Sequence, residues 1–226
     1  MTQQVECIDH VLWDWNGTLL DDVALCLDAL NVLLERRGKR PVGLDEYRAK
    51  FTFPVIEYYQ AVGFDLETEP FEGPAQEWTD LYSGGVWTKT KLYDGAEDVL
   101  DFVRAKGIRQ SVLSAYLHEM LAKVIAHFGV AEYFDDTLGL GDFYAESKRD
   151  LGHAWLADAS VDPARVLMIG DTLHDHEVAA ALGIHCVLLA QGHQSKERLL
   201  AAGVPVLDAI TDVREFLEQA AGVGSD

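Results

Sequence analysis

Residues 8–18 read IDHVLWDWNGT, a short apolar run followed by an acidic residue and, three positions later, by a glycine and a threonine. The run from Ile8 to Trp13 is nearly continuous in apolar residues, as expected for a β-strand that is covered on both faces. Asp14 comes directly after it, and in open α/β sheets the ligand crevice lies outside the carboxyl ends of the strands. This stretch therefore predicts the first strand of a parallel sheet and the place where its chemistry lies.

Three further apolar runs of the same kind follow along the chain, at residues 108–113, 165–169 and 184–189. Helical patterns lie between and after them, at about residues 96–106, 117–128, 148–158, 174–182 and 213–220. Strands that alternate with helices are typical of a parallel sheet with crossover helices on both faces. We therefore expect an α/β fold with a doubly wound, mostly parallel sheet.

Residues 21–89 break this alternation. Apolar residues recur there at helical spacing from Val23 to a stop at Gly38, and a second helix is expected to begin at Pro54. We interpret the segment as a small all-helical cap domain inserted into an α/β core formed by residues 1–20 and 90–226. Its remaining aromatic residues are assigned to loops, among them Trp78, Tyr82 and Trp87. Asp21 and Asp22 are expected to cap the first cap helix, because negative charge is favoured at a helix N-terminus.

Composition excludes several classes of protein. The chain has 226 residues, of which 49% are hydrophobic and 25% charged, as in an ordinary folded domain. Thirty-eight acidic residues against 18 Lys and Arg give a net charge of −20. So negative a surface disfavours a nucleic-acid partner held by phosphate contacts.

The cysteines and the apolar runs bear on location. Cys7, Cys26 and Cys186 are odd in number and lack CxxC spacing, so neither a disulfide framework nor a zinc site is indicated. No apolar run approaches the length that crosses a bilayer, and the N-terminus has no signal pattern. We expect a cytoplasmic protein with no membrane partner.

Polar side chains follow two more of the predicted strands. One run ends at Ser114, and another ends at Gly170 and is followed by Asp171 and Asp175, one helical turn apart. Three carboxylates on one rim, counting Asp14, would raise one another's pKa unless a cation lay among them. Mg²⁺ is the natural cation, since it takes carboxylates and waters and leaves positions for phosphate oxygens.

Taken together, these residues resemble the haloacid dehalogenase superfamily, in the phosphoglycolate-phosphatase-like branch whose helical cap follows the first motif. Its four signatures match the loop at residues 14–18, the strand-ending Ser114, Lys148, and the Gly-Asp-x-x-x-Asp segment at residues 170–175. Each motif is short, but the four occur in the family's order and at strand ends or helix starts.

The resemblance implies a Mg²⁺-dependent phosphatase of a small phosphorylated metabolite, acting as a monomer or homodimer. Asp14 would be the nucleophile and would form an aspartyl-phosphate, while Ser114 would bind a phosphoryl oxygen and Lys148 would neutralise charge. Mg²⁺ would be held by Asp14, the backbone carbonyl of Asn16, Asp171 and Asp175. Substrate contacts are expected from Gly17, Thr18, Ser114, Ala115, Lys148 and Phe53, the last on a loop that faces the site.

Asn16 departs from the family's pattern. Phosphatases of this family usually carry a second Asp at this position, which protonates the leaving alcohol and then deprotonates the attacking water. An amide cannot exchange a proton in this way, and a positioned acid–base group contributes roughly 10²- to 10⁴-fold in rate. The substrate can therefore be one whose leaving group needs no proton, such as an acyl phosphate or an activated aryl ester. Otherwise turnover is slow, or only metal and phosphate binding remain.

Other readings of Asn16 stay open. Deamidation of Asn16, which precedes Gly17, would restore an acid. Metal-independent dehalogenases share the nucleophile and the cap, but the retention of Asp171 and Asp175 argues against them. Phosphonatases have a similar first motif and a cap lysine that forms an imine, for which Lys39 and Lys50 would be the candidates.

Overall fold

The computed structural model describes residues 8–141 and 147–222, so the predicted core is described except at residues 1–7, 142–146 and 223–226. Cys7 lies outside the described residues. The β-strands are β1 (His10–Trp13), β2 (Leu20–Asp21), β3 (Lys91–Leu92), β4 (Arg109–Leu117), β5 (Asp136–Leu140), β6 (Val166–Gly170), β7 (His185–Leu189) and β8 (Val206–Leu207). The α-helices are α1 (Val23–Arg36), α2 (Leu44–Lys50), α3 (Val55–Ala61), α4 (Glu72–Lys89), α5 (Ala96–Ala105), α6 (His118–His127), α7 (Lys148–Ala159), α8 (Leu173–Leu182), α9 (Lys196–Leu199) and α10 (Val213–Gly222).

Six strands form one sheet in the order β5-β4-β1-β6-β7-β8, and every neighbouring pair is parallel. The expected α/β fold with a doubly wound sheet is thus confirmed. In the register of the central strands, Trp13 of β1 lies opposite Val112 of β4 and Ile169 of β6. The carboxyl ends of these three strands therefore meet at one edge of the sheet.

Side chains of the central strands alternate between two buried layers, one on each face of the sheet. Val11 and Trp13 pack into the larger core, which continues into the first helices of the chain. Leu12 and Met168 pack into the smaller core on the opposite face, beneath α7 and α8. Because both faces are covered, strands β1 and β6 are almost entirely apolar, and this is why their positions could be predicted.

Between β2 and β3, which pair antiparallel, the chain forms α1 to α4; we call these four helices the helical insert. The expected first helix and its stop at Gly38, where φ is +65°, are observed. The assignment of Trp78, Tyr82 and Trp87 to loops is wrong, because all three lie on the 18-residue helix α4. Within the described ranges, no helix is both long and apolar enough to pass through a lipid bilayer.

Candidate active site

A buried lysine joins two of the predicted carboxylates. Lys148, the first residue of α7, places its Nζ 2.6 Å from Oδ1 of Asp14 and 2.5 Å from Oδ1 of Asp175. All three residues are buried. Sequence positions 14, 148 and 175 are thus brought into one ion-paired cluster at the carboxyl edge of the sheet.

Asp175 also organises the start of α8. Its Oδ2 accepts hydrogen bonds from the backbone amides of Asp171 and Thr172 and from the Thr172 hydroxyl, at 3.1, 3.0 and 2.7 Å. Thr172 is the N-cap residue and Asp175 the N3 residue of a capping box. One oxygen of Asp175 therefore fixes the helix start, while the other holds Lys148.

Asp171 lies beneath the loop that follows Asp14. Its Oδ1 accepts a hydrogen bond from the Thr18 hydroxyl at 3.2 Å, and its Oδ2 accepts one from the His193 backbone amide at 2.6 Å. A Cβ atom at Gly17 would lie 2.3 Å from Oδ2 of Asp171, and the φ of Gly17 is +73°. Glycine is therefore required at position 17 for two reasons, its backbone conformation and this close approach.

Burial dominates the electrostatics of the cluster. It raises the pKa of Asp14 to about 8, because Lys148 offsets only part of the desolvation and the other two carboxylates repel the charge. Burial also raises the pKa of Asp171, to about 6. For Asp175 burial acts in the same direction, but the Lys148 ion pair and the Thr172 hydrogen bond outweigh it and lower the pKa.

The donor set suits a hard divalent cation. One carboxylate oxygen from each of Asp14, Asp171 and Asp175 lies within 4.8 Å of the others, and all three residues are buried. The raised pKa values of Asp14 and Asp171 indicate negative charge that Lys148 does not fully compensate. An oxygen-only cluster of this kind fits Mg²⁺ better than a softer metal.

Asn16 faces the helical insert. Its Nδ2 donates to Oδ2 of Asp22 and to the Tyr82 hydroxyl, both at 2.7 Å. Asp22 occupies the N-cap position of α1, but its side chain accepts no capping hydrogen bond from the helix backbone. The expectation that this carboxylate caps α1 is therefore wrong, because its oxygens accept from Asn16, Tyr82 and other buried donors instead.

His193 completes this second group. Its Nε2 lies 3.2 Å from Oδ1 of Asp22, and its Nδ1 lies 2.8 Å from the Tyr47 hydroxyl on α2. Burial lowers the pKa of His193, but the Asp22 carboxylate outweighs it and raises this pKa to about 9. The buried pair is therefore a carboxylate and an imidazolium at neutral pH.

The remaining predicted residues lie around the same edge. Ser114 is buried, and its hydroxyl accepts a hydrogen bond from the backbone amide of Tyr116 at 3.2 Å. The expectation that its strand ends at Ser114 is wrong, because β4 continues to Leu117; the pairing of β4 with β5 shifts register between Leu113 and Leu117. Ala115 is half-buried next to it. The Gly17 amide donates to the Leu20 carbonyl and to Asp22, so it has no hydrogen left for a ligand.

Phe53 comes from the helical insert. Its ring stacks on the His174 ring at 4.8 Å, beside Asp175. The neighbouring Phe51 carbonyl accepts a hydrogen bond from the Gln194 side chain, and Arg198 donates to it as well. Phe53 is thus held next to Asp175 by contacts of the insert with α8, with the segment after β7 and with α9.

Sequence reasoning missed His193, Tyr47 and Tyr82, and it gave Asp22 another role. His193 follows β7 by four residues, so the rule that placed the other polar residues at strand ends extends to it. The two tyrosines had no such signal, because helices bring them to the site from distant positions in the sequence.

The comparisons agree with this geometry. A family model described as haloacid dehalogenase-like hydrolase matches residues 8–183. The chain belongs to the haloacid dehalogenase-like hydrolases. As an enzyme of this family it is similar to the phosphoglycolate phosphatase of Nitrosococcus oceani, with 25% identity over 222 residues that cover 94% of this chain and 98% of the relative.

The chain is also similar to a second relative and to a solved structure, which have different names. The tyrosine-protein kinase PtkA of Mycobacterium tuberculosis is 28% identical over 216 residues, which cover 94% of this chain and 72% of that protein. A crystal structure described as a predicted phosphatase from Clostridium acetobutylicum has a TM-score of 0.79 and 21% identity. It covers 95% of this chain and 100% of its own. The fold and the hydrolase family predicted from the motifs are confirmed.

Proposed function

We propose that this enzyme is a Mg²⁺-dependent phosphatase of small phosphorylated metabolites, and that it acts through an aspartyl-phosphate on Asp14. One observation carries the proposal: Lys148 bridges Asp14 and Asp175 inside a buried group of three carboxylates at the edge where strands β1, β4 and β6 end. The two relatives are named as a phosphatase and a tyrosine kinase, and both names concern phosphoryl transfer at an oxygen atom. That reaction class is what we carry over.

In the proposed reaction a carboxylate oxygen of Asp14 attacks phosphorus, and the bond from phosphorus to the leaving oxygen breaks with its electron pair. Water then attacks the phosphorus of the aspartyl-phosphate, and the bond between phosphorus and the Asp14 oxygen breaks with its electron pair left on the carboxylate. Both hydrogens of the water leave with the inorganic phosphate. Lys148 stabilises the negative charge that the phosphoryl group carries throughout, and the Ser114 hydroxyl binds one of its oxygens. Further phosphoryl contacts are proposed from Thr18, Ala115 and the loop after Asp14.

Asp14, Asp171, Asp175 and the Asn16 backbone carbonyl are the groups proposed to hold Mg²⁺. When bound, the ion would offset the charge of the carboxylates and of the phosphoryl oxygens. This chain's own contribution is to orient Asp14 and to place the Lys148 ammonium beside it, which opposes the effect of burial on the carboxylate.

The helical insert is proposed to act as a cap over this edge, with residues 21–89 as the cap and residues 1–20 and 90–226 as the core. Phe53 against His174 supports a substrate-facing position for the insert. A cytoplasmic location and a monomeric or dimeric state are part of the same proposal.

Purified enzyme tests the function with 4-nitrophenyl phosphate and acetyl phosphate as probes. Phosphate release is expected with Mg²⁺, and it should stop in EDTA and in Asp14→Asn. Turnover that survives EDTA would contradict the mechanism.

A second candidate, phosphometabolite binding without turnover, is favoured by Asn16 alone, since this residue supplies no acid or base. Thermal stabilisation by inorganic phosphate and Mg²⁺ with no phosphate release from either probe would select this candidate.

A further inference from the structure

The orientation of the Asn16 amide is determined by its partners. Oδ2 of Asp22 accepts from Asn16 Nδ2 at 2.7 Å and from the Tyr82 hydroxyl at 2.8 Å, and this hydroxyl in turn lies 2.7 Å from Nδ2. An ionised carboxylate only accepts hydrogen bonds, so the NH₂ end of the amide must face it. The side chains of Asn16, Asp22 and Tyr82 thus contact one another in a closed group of three, and the carbonyl Oδ1 of Asn16 points away from it.

Asp22 is held as an anion from several directions. Its Oδ1 accepts the Gly17 amide at 3.0 Å and pairs with His193 at 3.2 Å, and its side chain is fully buried. Asn16, Gly17 and Tyr82 all donate to it, which suits a carboxylate that only accepts hydrogen bonds. Two of its donors, Asn16 and Gly17, belong to the loop that begins at Asp14.

Positions 16 and 22 are therefore coupled. A carboxylate at position 16 would place its oxygen about where Nδ2 now lies, within hydrogen-bond distance of an Asp22 oxygen and with no hydrogen between them. Two like charges buried so close together are strongly unfavourable. The amide at position 16 is the neutral partner that the carboxylate at position 22 requires.

We propose that Asp22 is a positioning residue, which turns Asn16 so that its Oδ1 accepts a hydrogen bond from the water that attacks the aspartyl-phosphate. Since Asn16 then supplies no proton, the Asn16–Asp22 pair selects phosphorylated substrates whose leaving oxygen departs without one. These are aryl and acyl phosphates rather than alkyl phosphates. The substrate preference rests on the proposed phosphatase function, whereas the pairing of the two residues does not.

A charge-transposition cycle tests the pairing. The variants are Asn16→Asp, Asp22→Asn and the double variant, with the melting temperature Tm as the first readout. Each single variant is expected to melt below the wild type, and the double variant above the lower of the two, because it restores one charge and one amide. Additive losses, or an Asn16→Asp variant as stable as the wild type, would overturn the pairing.

Leaving-group preference tests the positioning role, which a merely structural role would not affect. Wild-type enzyme is expected to hydrolyse 4-nitrophenyl phosphate and acetyl phosphate at least about 100-fold faster than glycerol phosphate, the rate scale of a missing acid. Asp22→Asn and Tyr82→Phe should lower kcat on 4-nitrophenyl phosphate by about tenfold while changing KM less than about threefold. Equal rates on the aryl and alkyl phosphates, or unchanged kcat in both variants, would overturn the positioning role.

The two proposals fail in distinguishable ways. Wild-type enzyme without turnover on any phosphate would reject the phosphatase function and the substrate preference, and the Tm cycle would still decide the pairing. Turnover with additive Tm losses would keep the function and reject the pairing. Should Asn16→Asp be insoluble, the cycle of Asn16→Ala, Asp22→Ala and their double variant takes its place: Tm losses that are smaller than additive in the double variant are expected, and additive losses would overturn the pairing.

Discussion

Lys148 is the one cation, among the residues that the structure describes, that contacts both Asp14 and Asp175. Burial opposes the ammonium charge, yet the two carboxylates outweigh it and raise the pKa of Lys148. A buried charge that loses its partner is costly, so this side chain supports stability and chemistry together.

Replacing Lys148 by Met removes the charge and keeps the length of the side chain. We expect kcat to fall by at least about 100-fold, and the free energy of unfolding to fall by about 3 kcal/mol, because Asp14 and Asp175 lose their buried partner. Steady-state kinetics and urea unfolding measure the two effects. The control is Lys123→Met on the exposed face of α6, which should change neither; near-wild-type kcat in Lys148→Met would contradict the role.

Single residues differ in how far the sequence predicts them. The positions of Asp14 and Asp171, directly after β1 and β6, follow from the rule that ligands bind at the carboxyl ends of parallel strands. Ser114 follows it less well, because β4 continues past this residue to Leu117. The sequence places Asp22 at a helix start, but it does not predict the hydrogen-bond partners of this side chain. Tyr82 and His193 are 60 and 171 residues away from it along the chain. Contacts over such separations depend on how the insert packs on the sheet, which no local pattern encodes.

The start of helix α8 links local structure to the site. Its N-cap residue, Thr172, donates to Asp175, and Asp175 in turn holds Lys148. A lost N-cap side chain costs about 1 kcal/mol in an ordinary helix. Here the same loss also removes the hydrogen bond that the Thr172 hydroxyl donates to Oδ2 of Asp175.

Thr172→Ala is therefore expected to lower the free energy of unfolding by about 1 kcal/mol and also to lower kcat several-fold. Thr172→Ser keeps the hydroxyl and should stay close to wild type in both measurements. Equal kcat in the Ala and Ser variants would show that capping alone is the role of Thr172.

Strands β1 and β4 are joined at their beginnings by His10, whose Nε2 lies 3.0 Å from the Ser111 hydroxyl. Burial lowers the pKa of His10 to about 4, with a smaller effect from Arg109. Its value in the folded protein is thus below its value in the unfolded chain, where it is near 6.5. The unfolded chain therefore takes up the proton first, and stability is lost as the pH falls from about 6.5 toward 4.

We expect His10→Gln to weaken this acid sensitivity. Between pH 7 and pH 5 the variant should lose about 1 kcal/mol less unfolding free energy than the wild type. Urea unfolding at both pH values measures the difference, and the variant's own stability at pH 7 serves as its reference. Parallel losses in the two proteins would contradict a buried neutral His10.

Elements covered on both faces were predictable, and elements at the periphery were not. Strands β1, β6 and β7 are nearly continuous apolar runs, whereas β5 has the sequence DTLGL and lies at the edge of the sheet. Helix α4 contains Gly73, Pro74, Gly84 and Gly85, which disfavour helix in isolation. Gly85 packs so tightly against Leu25 of α1 that a Cβ atom would lie 2.6 Å from it, so tertiary packing rather than propensity accounts for the helix.

Charge is the property of the whole molecule that bears most on function. Of 38 acidic residues, Asp14, Asp22, Asp171 and Asp175 belong to the described site, and the net charge is −20. An anionic substrate is therefore repelled at long range and attracted only close to Lys148 and a bound cation.

Salt should consequently favour the reaction. At a fixed, saturating Mg²⁺ concentration, adding NaCl to a total ionic strength of about 0.15 M shortens the Debye length to about 8 Å and screens the repulsion. We expect kcat/KM for 4-nitrophenyl phosphate to rise about two- to threefold. The control is a competitive inhibitor without charge, a neutral aryl ester of similar size that binds at the same site. Its inhibition constant should not change with the NaCl concentration. A fall in kcat/KM would show that a local positive field governs the approach of the substrate.

Covalent chemistry at Asp14 is the central claim, and rapid acid quench followed by peptide mass spectrometry tests it most directly. With Mg²⁺ and acetyl phosphate, the peptide that carries Asp14 is predicted to gain about 80 Da, the mass of one phosphoryl group, and the gain should be absent in Asp14→Asn. Phosphate release without any mass gain on that peptide, or a gain that persists in Asp14→Asn, would contradict the account.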